Sequence, residues 1–182
     1  MKDVQEVLIN EVEFRPIDLA LHAELCLRYR EDSFVCSFGS AERFHEHDGK
    51  GGIRYLQWLK NKLSENPFSC VHAWYKSQII GQLEIGRWKE DATIGYVNLY
   101  YLIPEFRGKG KAPALDQYVT LFFTGLGLKR ARLSVAPGNE RAVRFYSRHG
   151  WRDLGPRPGA AEVHYMEKDY SHSVSERGNK LT

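Results

Sequence analysis

The sequence predicts an α/β fold in which helices are layered on one sheet, and three observations carry that prediction. Stretches with the two-residue period of strands alternate along the chain with stretches of helical period. The stretch TIGYVNLYYLI is largely apolar on both of its alternating sets, as a central strand covered on two faces must be. No repeat and no Pro/Gly/Ser-rich linker divides the 182 residues, 42% of them hydrophobic, so one domain over 1–170 with a polar tail over 171–182 is expected.

Taken in order, FRPI is a short strand, and Asp18 can cap a helix through LALHAELCLRYR, where Leu21, Leu25 and Tyr29 recur at four-residue spacing. SFVCSFGSAERFHEHDGKGG has no regular period. IRYLQWLKNKL reads as a second helix with Ile53, Leu56 and Leu63 on one face. CVHAWYK and IIGQLEIGRW form a hairpin around Ser77 and Gln78, and a turn at KED leads into the central strand. After the loop PEFRGKGKAPAL, a helical stripe of Leu115, Tyr118, Val119, Phe122 and Leu126 closes at Gly125 and Gly127. ARLSVA is a strand, Asn139 to His149 a helix stopped by Gly150, and AEVHYMEKDY the last strand.

Composition narrows the function classes. A net charge of +3 is far from the dense basic stripe that nucleic acid demands, and no apolar run approaches the roughly 20 residues of a membrane-spanning helix. Cys26, Cys36 and Cys70 are odd in number and widely spaced, and MKDVQEVLIN lacks an apolar signal core. The expectation is a reduced, cytoplasmic protein that binds neither nucleic acid nor membrane.

The loop before the third helix concentrates the chemistry. Helix N-termini carry unsatisfied amides and a partial positive charge. Gly108 and Gly110 let the backbone turn and approach an anion, Pro113 suits a first helical turn, and Arg107, Lys109 and Lys111 add charge. Such a loop suits a phosphate or pyrophosphate. It is no P-loop, because Ala112 replaces the magnesium-binding hydroxyl and Glu105 the first glycine. It is no dinucleotide fingerprint either, because Pro113 replaces the third glycine. Alone, it fits a solvated basic turn equally well.

A second stretch, APGNERAVRFYSRHGW, sets Asn139, Ala142, Val143 and Tyr146 roughly on one helical face, with Arg141, Arg144 and Arg148 on another. Arg107-Gly108-Lys109-Gly110-Lys111-Ala112 followed by NERAVRFYSRHGW resembles the paired signatures of the GCN5-related N-acetyltransferases, over roughly Ile79 to Tyr170. The resemblance implies a mixed, mostly antiparallel central sheet flanked by helices. It also implies direct transfer of an acetyl group from acetyl-coenzyme A to a small-molecule or peptide amine. Oligomeric state is open in the sequence, with a homodimer expected only on general grounds. The family's cofactor residues map onto Arg107, Gly108, Lys109, Gly110, Lys111 and Ala112, the backbone of Tyr100 and Leu102, and Asn139 and Ala142. Tyr146 falls on the tyrosine that protonates the departing thiolate, although a core aromatic would satisfy the same pattern.

The base departs from that family pattern. Tyr96 stands where many relatives carry glutamate, and Glu84 on the preceding strand is the nearest carboxylate; its face depends on hairpin register, and a water chain is the alternative. A coenzyme A-binding module without turnover is the other reading of the whole. His22, Cys36, His45 and His47 lack metal-site spacing, so no metal is expected. Trp58, Phe68, Trp74 and Tyr75 read as core before acceptor pocket. Glu31, Asp32, Glu46 and Asp48 either attract a cationic amine or belong to a solvated loop.

Overall fold

The strands of the computed structural model, which describes residues 6–171, follow one order, β1-β2-β3-β4-β5-β6-β8-β7. They are β1 (Val7–Ile9), β2 (Val12–Pro16), β3 (Cys70–Tyr75), β4 (Gln78–Arg87), β5 (Gly95–Leu102), β6 (Arg130–Val135), β7 (Arg152–Arg157) and β8 (Ala160–Asp169). The helices are α1 (Leu19–Phe38), α2 (Glu42–His45), α3 (Gly51–Glu65), α4 (Ala112–Gly125) and α5 (Glu140–Arg148). Strands β5 and β6 run parallel, with registered pairs from Gly95↔Ala131 to Val97↔Leu133, while β1–β2, β2–β3, β6–β8 and β7–β8 are antiparallel. The mixed, mostly antiparallel sheet is therefore present. The tail expected at 171–182 lies, from 172 on, outside the described residues.

The chain gathers into two compact units. One runs to Glu84 and includes Leu99–Leu115; the other comprises Ile85–Asn98 and the chain from Asp116. In the first unit, α1 begins where the Asp18 carboxylate accepts the Ala20 amide at 2.9 Å, and it ends at Gly39, whose φ of 80° is left-handed and whose amide reaches the Val35 carbonyl. The helix is thus longer than the apolar period predicts, taking in SFVCSF, with Phe34 against the core. A kink at His22 (φ −127°) breaks the phase, so Leu21 is exposed and Cys26 and Tyr29 face inward. On α3, Leu56 and Leu63 pack against the core as expected, but the buried positions are Tyr55 and Leu59, and Ile53 is 70% exposed. The start of α3 is fixed by Gly51: a Cβ there would collide with the Phe44 carbonyl. The β3–β4 turn falls at Lys76 and Ser77, both at positive φ, one residue earlier than expected.

In the second unit, α4 buries Tyr118 and Val119 as the stripe predicts, and Phe123 where the stripe predicted Phe122 and Leu126. Gly95 makes room for the Phe123 ring, which a Cβ would meet at 2.6 Å. The Asn139 side chain caps α5 by accepting the Ala142 amide at 3.3 Å, and Gly150, at φ 83°, follows its last turn. Strand β7, unforeseen in the sequence, is an exposed edge containing Gly155 and Pro156, with no apolar alternation to announce it.

Candidate functional site

The loop before α4 takes the backbone form that an anion site requires. Gly108 and Gly110 have φ of 76° and 73°, and a Cβ at either would meet no heavy atom within 4 Å. The amides of Arg107 and Lys109 bond back to Pro104 and Phe106. Among the described residues, those of Gly108, Gly110, Lys111 and Ala112 donate to no protein acceptor. These four donors stand at the N-terminus of a 14-residue helix with Pro113 in its first turn, where the macrodipole adds positive potential. Amides so placed are donors for a group bearing several acceptor oxygens, of which a diphosphate is one.

The three cations of the loop are not equivalent. Lys111 pairs with Glu11 at 3.1 Å and sits 3.8 Å above the Tyr75 ring, whereas Lys109 lies 5.9 Å from the Phe106 ring. Arg107 turns back on the protein: its Nε donates to the Leu102 carbonyl at 2.8 Å and one terminal nitrogen to Asp32 at 2.6 Å. The expected charge around the loop is therefore partly neutralised from within. Leu102, expected to offer its backbone to the cofactor, gives its carbonyl to Arg107, and Tyr100 precedes it on β5.

Glu84 lies on the face of β4 that meets α1 and α3, its register fixed by Cys70↔Glu84 and His72↔Gln82. Its carboxylate is fully buried and meets three donors: Tyr55 at 2.5 Å, Gln82 at 2.9 Å and Arg30 at 3.4 Å. Because the Gln82 amide nitrogen donates to Glu84 and Tyr55, its oxygen faces His72 Nε2 at 3.1 Å, and that nitrogen must carry the proton. Cys26 lies 3.7 Å from the same nitrogen. Burial and the nearby Glu84 push the Cys26 thiol up to about 12, and burial with His22 draws His72 down to about 4. The pair stays neutral at pH 7, so it is no nucleophilic dyad.

In the second unit, Tyr146 is buried beside Trp151, whose indole nitrogen donates to Asp116 at 2.9 Å; Lys168 meets the other Asp116 oxygen at 2.6 Å. Burial first, then the Asp116 charge, raise the Tyr146 pKa above the ordinary phenol value, so it carries its proton at neutral pH. Asn139 and Ala142 are joined by the cap of α5.

Sequence reasoning missed the partners of the acidic residues. Glu46 and Asp48 both hold Arg54, Glu31 lies 3.4 Å from His45, and Asp32 belongs to α1 and to Arg107. Each of these carboxylates thus has a basic side chain of the protein as its neighbour.

The sequence model of the acetyltransferase (GNAT) family matches residues 28–151. Two uncharacterized N-acetyltransferases, of Mycobacterium bovis and Mycobacterium tuberculosis, are 37% identical to this chain over 70 residues, which is 38% of this chain and 44% of each of theirs. The chain thus matches under half the length of these curated relatives. Among solved structures, the PaiA N-acetyltransferase of Thermoplasma acidophilum, in complex with coenzyme A, superposes with a TM-score of 0.68 at 19% identity, covering 87% of this chain and 99% of that one. The spermidine N-acetyltransferase of Vibrio cholerae, in complex with coenzyme A and spermine, gives 0.68 at 16% identity over 91% and 99%. The ribosomal-protein-S5-alanine acetyltransferase of Vibrio fischeri gives 0.65 at 20% over 92% and 97%.

Proposed function

The chain belongs to the GNAT acetyltransferase family, and on that premise we propose that it is an acetyl-coenzyme A-dependent N-acetyltransferase acting on a primary amine by direct transfer. One observation carries the reading: four undonated amides between two positive-φ glycines and a helix N-terminus, in the segment that bears the family's loop signature. The amides of Gly108, Gly110, Lys111 and Ala112 would hold the diphosphate of the cofactor. Bound there, acetyl-coenzyme A supplies a thioester carbonyl that the amine attacks, the C–N bond forming as the C–S bond breaks. Tyr146 offers a proton to the departing sulfur. Asn139 and Ala142, with the backbone of Tyr100 and Leu102, complete the proposed cofactor residues. The proposal takes residues 1–170 as one catalytic domain, cytoplasmic, with a small-molecule or peptide amine as acceptor and a homodimer as the assembly. Among the described residues, no helix is long and apolar enough to cross a membrane.

The test is release of free thiol from acetyl-coenzyme A in the presence of peptide N-termini, polyamines, aminoglycosides or amino acids. Amine-dependent release is expected for at least one class. Tight coenzyme A binding without release from any of them would instead favour a binding module that lacks turnover.

Glu84 enters the proposal as a proton acceptor reached through Tyr55, since its own oxygens are enclosed by donors. The ammonium proton passes to the Tyr55 oxygen as the phenol proton passes to Glu84, leaving a neutral amine and a protonated carboxyl. Glu84→Gln is therefore expected to lower turnover chiefly at low pH. Without the carboxylate, the rate depends on amine already deprotonated in solution, about tenfold scarcer for each unit below an amine pKa near ~10. A pH–rate profile settles this. An unchanged profile removes Glu84 from the reaction and leaves water as the base.

A further inference from the structure

Arg107 opens the loop signature, yet every nitrogen of its guanidinium is directed at the protein. Nε reaches the Leu102 carbonyl at 2.8 Å, one terminal nitrogen the Asp32 carboxylate at 2.6 Å and the other the Cys36 sulfur at 3.4 Å. The guanidinium also lies over the Tyr101 ring, 5.4 Å from its centroid. The same Asp32 oxygen accepts the Tyr101 hydroxyl at 2.8 Å, and the Tyr101 ring packs on Tyr29 at 4.5 Å. Burial and then Asp32 raise the Tyr101 pKa, so the phenol remains a donor. Tyr29, Asp32 and Cys36 are spaced three and four residues apart, one face of α1. That helix face, the end of β5 and the loop are thereby joined through one guanidinium, whose planar fork suits several fixed acceptors at once.

We propose that Asp32 and Tyr101 are positioning residues for cofactor binding: they hold Arg107, and Arg107 holds the loop so that its amides are preorganised for the diphosphate. The proposal rests on the reading of this loop as the coenzyme A site. It gives Arg107 a role opposite to that of a cation placed against the ligand. In the direct-contact alternative, Asp32 competes with the diphosphate for the guanidinium, and removing Asp32 frees Arg107 and tightens binding. In the positioning role, removing Asp32 loosens the loop and weakens binding. The sign of one measurement separates them.

The experiment is titration of the full chain with coenzyme A by calorimetry, for wild type, Asp32→Asn, Tyr101→Phe, Arg107→Gln and the double variant Asp32→Asn/Arg107→Gln, at two salt concentrations. Asp32→Asn keeps the side-chain volume at a half-exposed position, and melting temperatures verify that each variant is folded. Loss of a charge-assisted bond should weaken binding about tenfold for Asp32→Asn and for Arg107→Gln alike. The double variant should be no weaker than the weaker single one, because both break the same link. For Asp32→Asn the salt dependence should be unchanged, and kcat at saturating acetyl-coenzyme A should stay near wild type while its KM rises, a split that a general loss of structure would not give. Tighter or unaltered binding in Asp32→Asn, or additive losses in the double variant, overturns the proposal. If wild type itself fails to bind coenzyme A, the cofactor reading falls and takes the proposal with it; if wild type binds and Asp32→Asn binds equally well, only the positioning role falls.

Discussion

Gly110→Asp is expected to abolish most of the coenzyme A affinity, while Lys109→Ala leaves it nearly intact. At φ 73° with no neighbour within 4 Å, the added side chain extends into the open space beside the four undonated amides. Two unit charges about 5 Å apart at an effective dielectric near 20 repel by about 3 kcal/mol, roughly a hundredfold in affinity. Aspartate tolerates positive φ better than most residues, so backbone strain is the smaller part of the loss, and Gly110→Ala isolates it. Lys109, by contrast, contributes a surface cation whose removal should cost about fivefold or less. Calorimetric titration with coenzyme A checks the contrast, with circular dichroism to verify the fold. Equal, small losses in both variants would mean that the diphosphate lies elsewhere.

The same features explain why this loop was legible in the sequence. A backbone that must reach positive φ twice selects glycine at Gly108 and Gly110, and a helix start whose amides have no partner within the helix admits Pro113, so local chemistry leaves a local mark. The Asn139 cap of α5 is legible for the same reason. What holds Arg107 was not, because Asp32 lies 75 residues away and a charge in a helix looks alike whether solvated or paired. Glu84 likewise acquires its partners from Tyr55 on α3 and Arg30 on α1, which only the tertiary packing brings to β4. Helix faces failed where something other than periodicity sets the phase: the kink at His22 turns Leu21 outward, and the close approach of Gly51 to Phe44 fixes which side of α3 faces in. Phe123 displaces Phe122 from the core because Gly95 has no side chain, a match between distant positions that no window of sequence contains.

Tyr146→Phe is expected to lower kcat by about a hundredfold, the low end of the range for losing a general acid, with coenzyme A affinity and the fold retained. The ring would keep its packing against Trp151, and the bonds of Asp116 to Trp151 and Lys168 do not involve the phenol oxygen. The substitution removes the phenol oxygen and the proton it carries. Its strength sets the magnitude: an ordinary phenol has a pKa near ~10 and a thiol near ~8.5, so full transfer to the sulfur is uphill by about 2 kcal/mol before any shift. Burial and Asp116 raise the Tyr146 pKa further, which widens that gap. The phenol therefore acts by donating a hydrogen bond to charge developing on sulfur, and since a thiolate is already a tolerable leaving group, the benefit is moderate. The raised pKa also fixes the pH dependence: the group stays protonated from neutral pH upward past the ordinary phenol range, so no loss of activity on the alkaline side below pH ~10 should be traceable to it. Single-turnover rates at saturating acetyl-coenzyme A measure the chemical step. If they are unchanged while coenzyme A binding collapses, Tyr146 is a packing or cofactor contact and the proton comes from water.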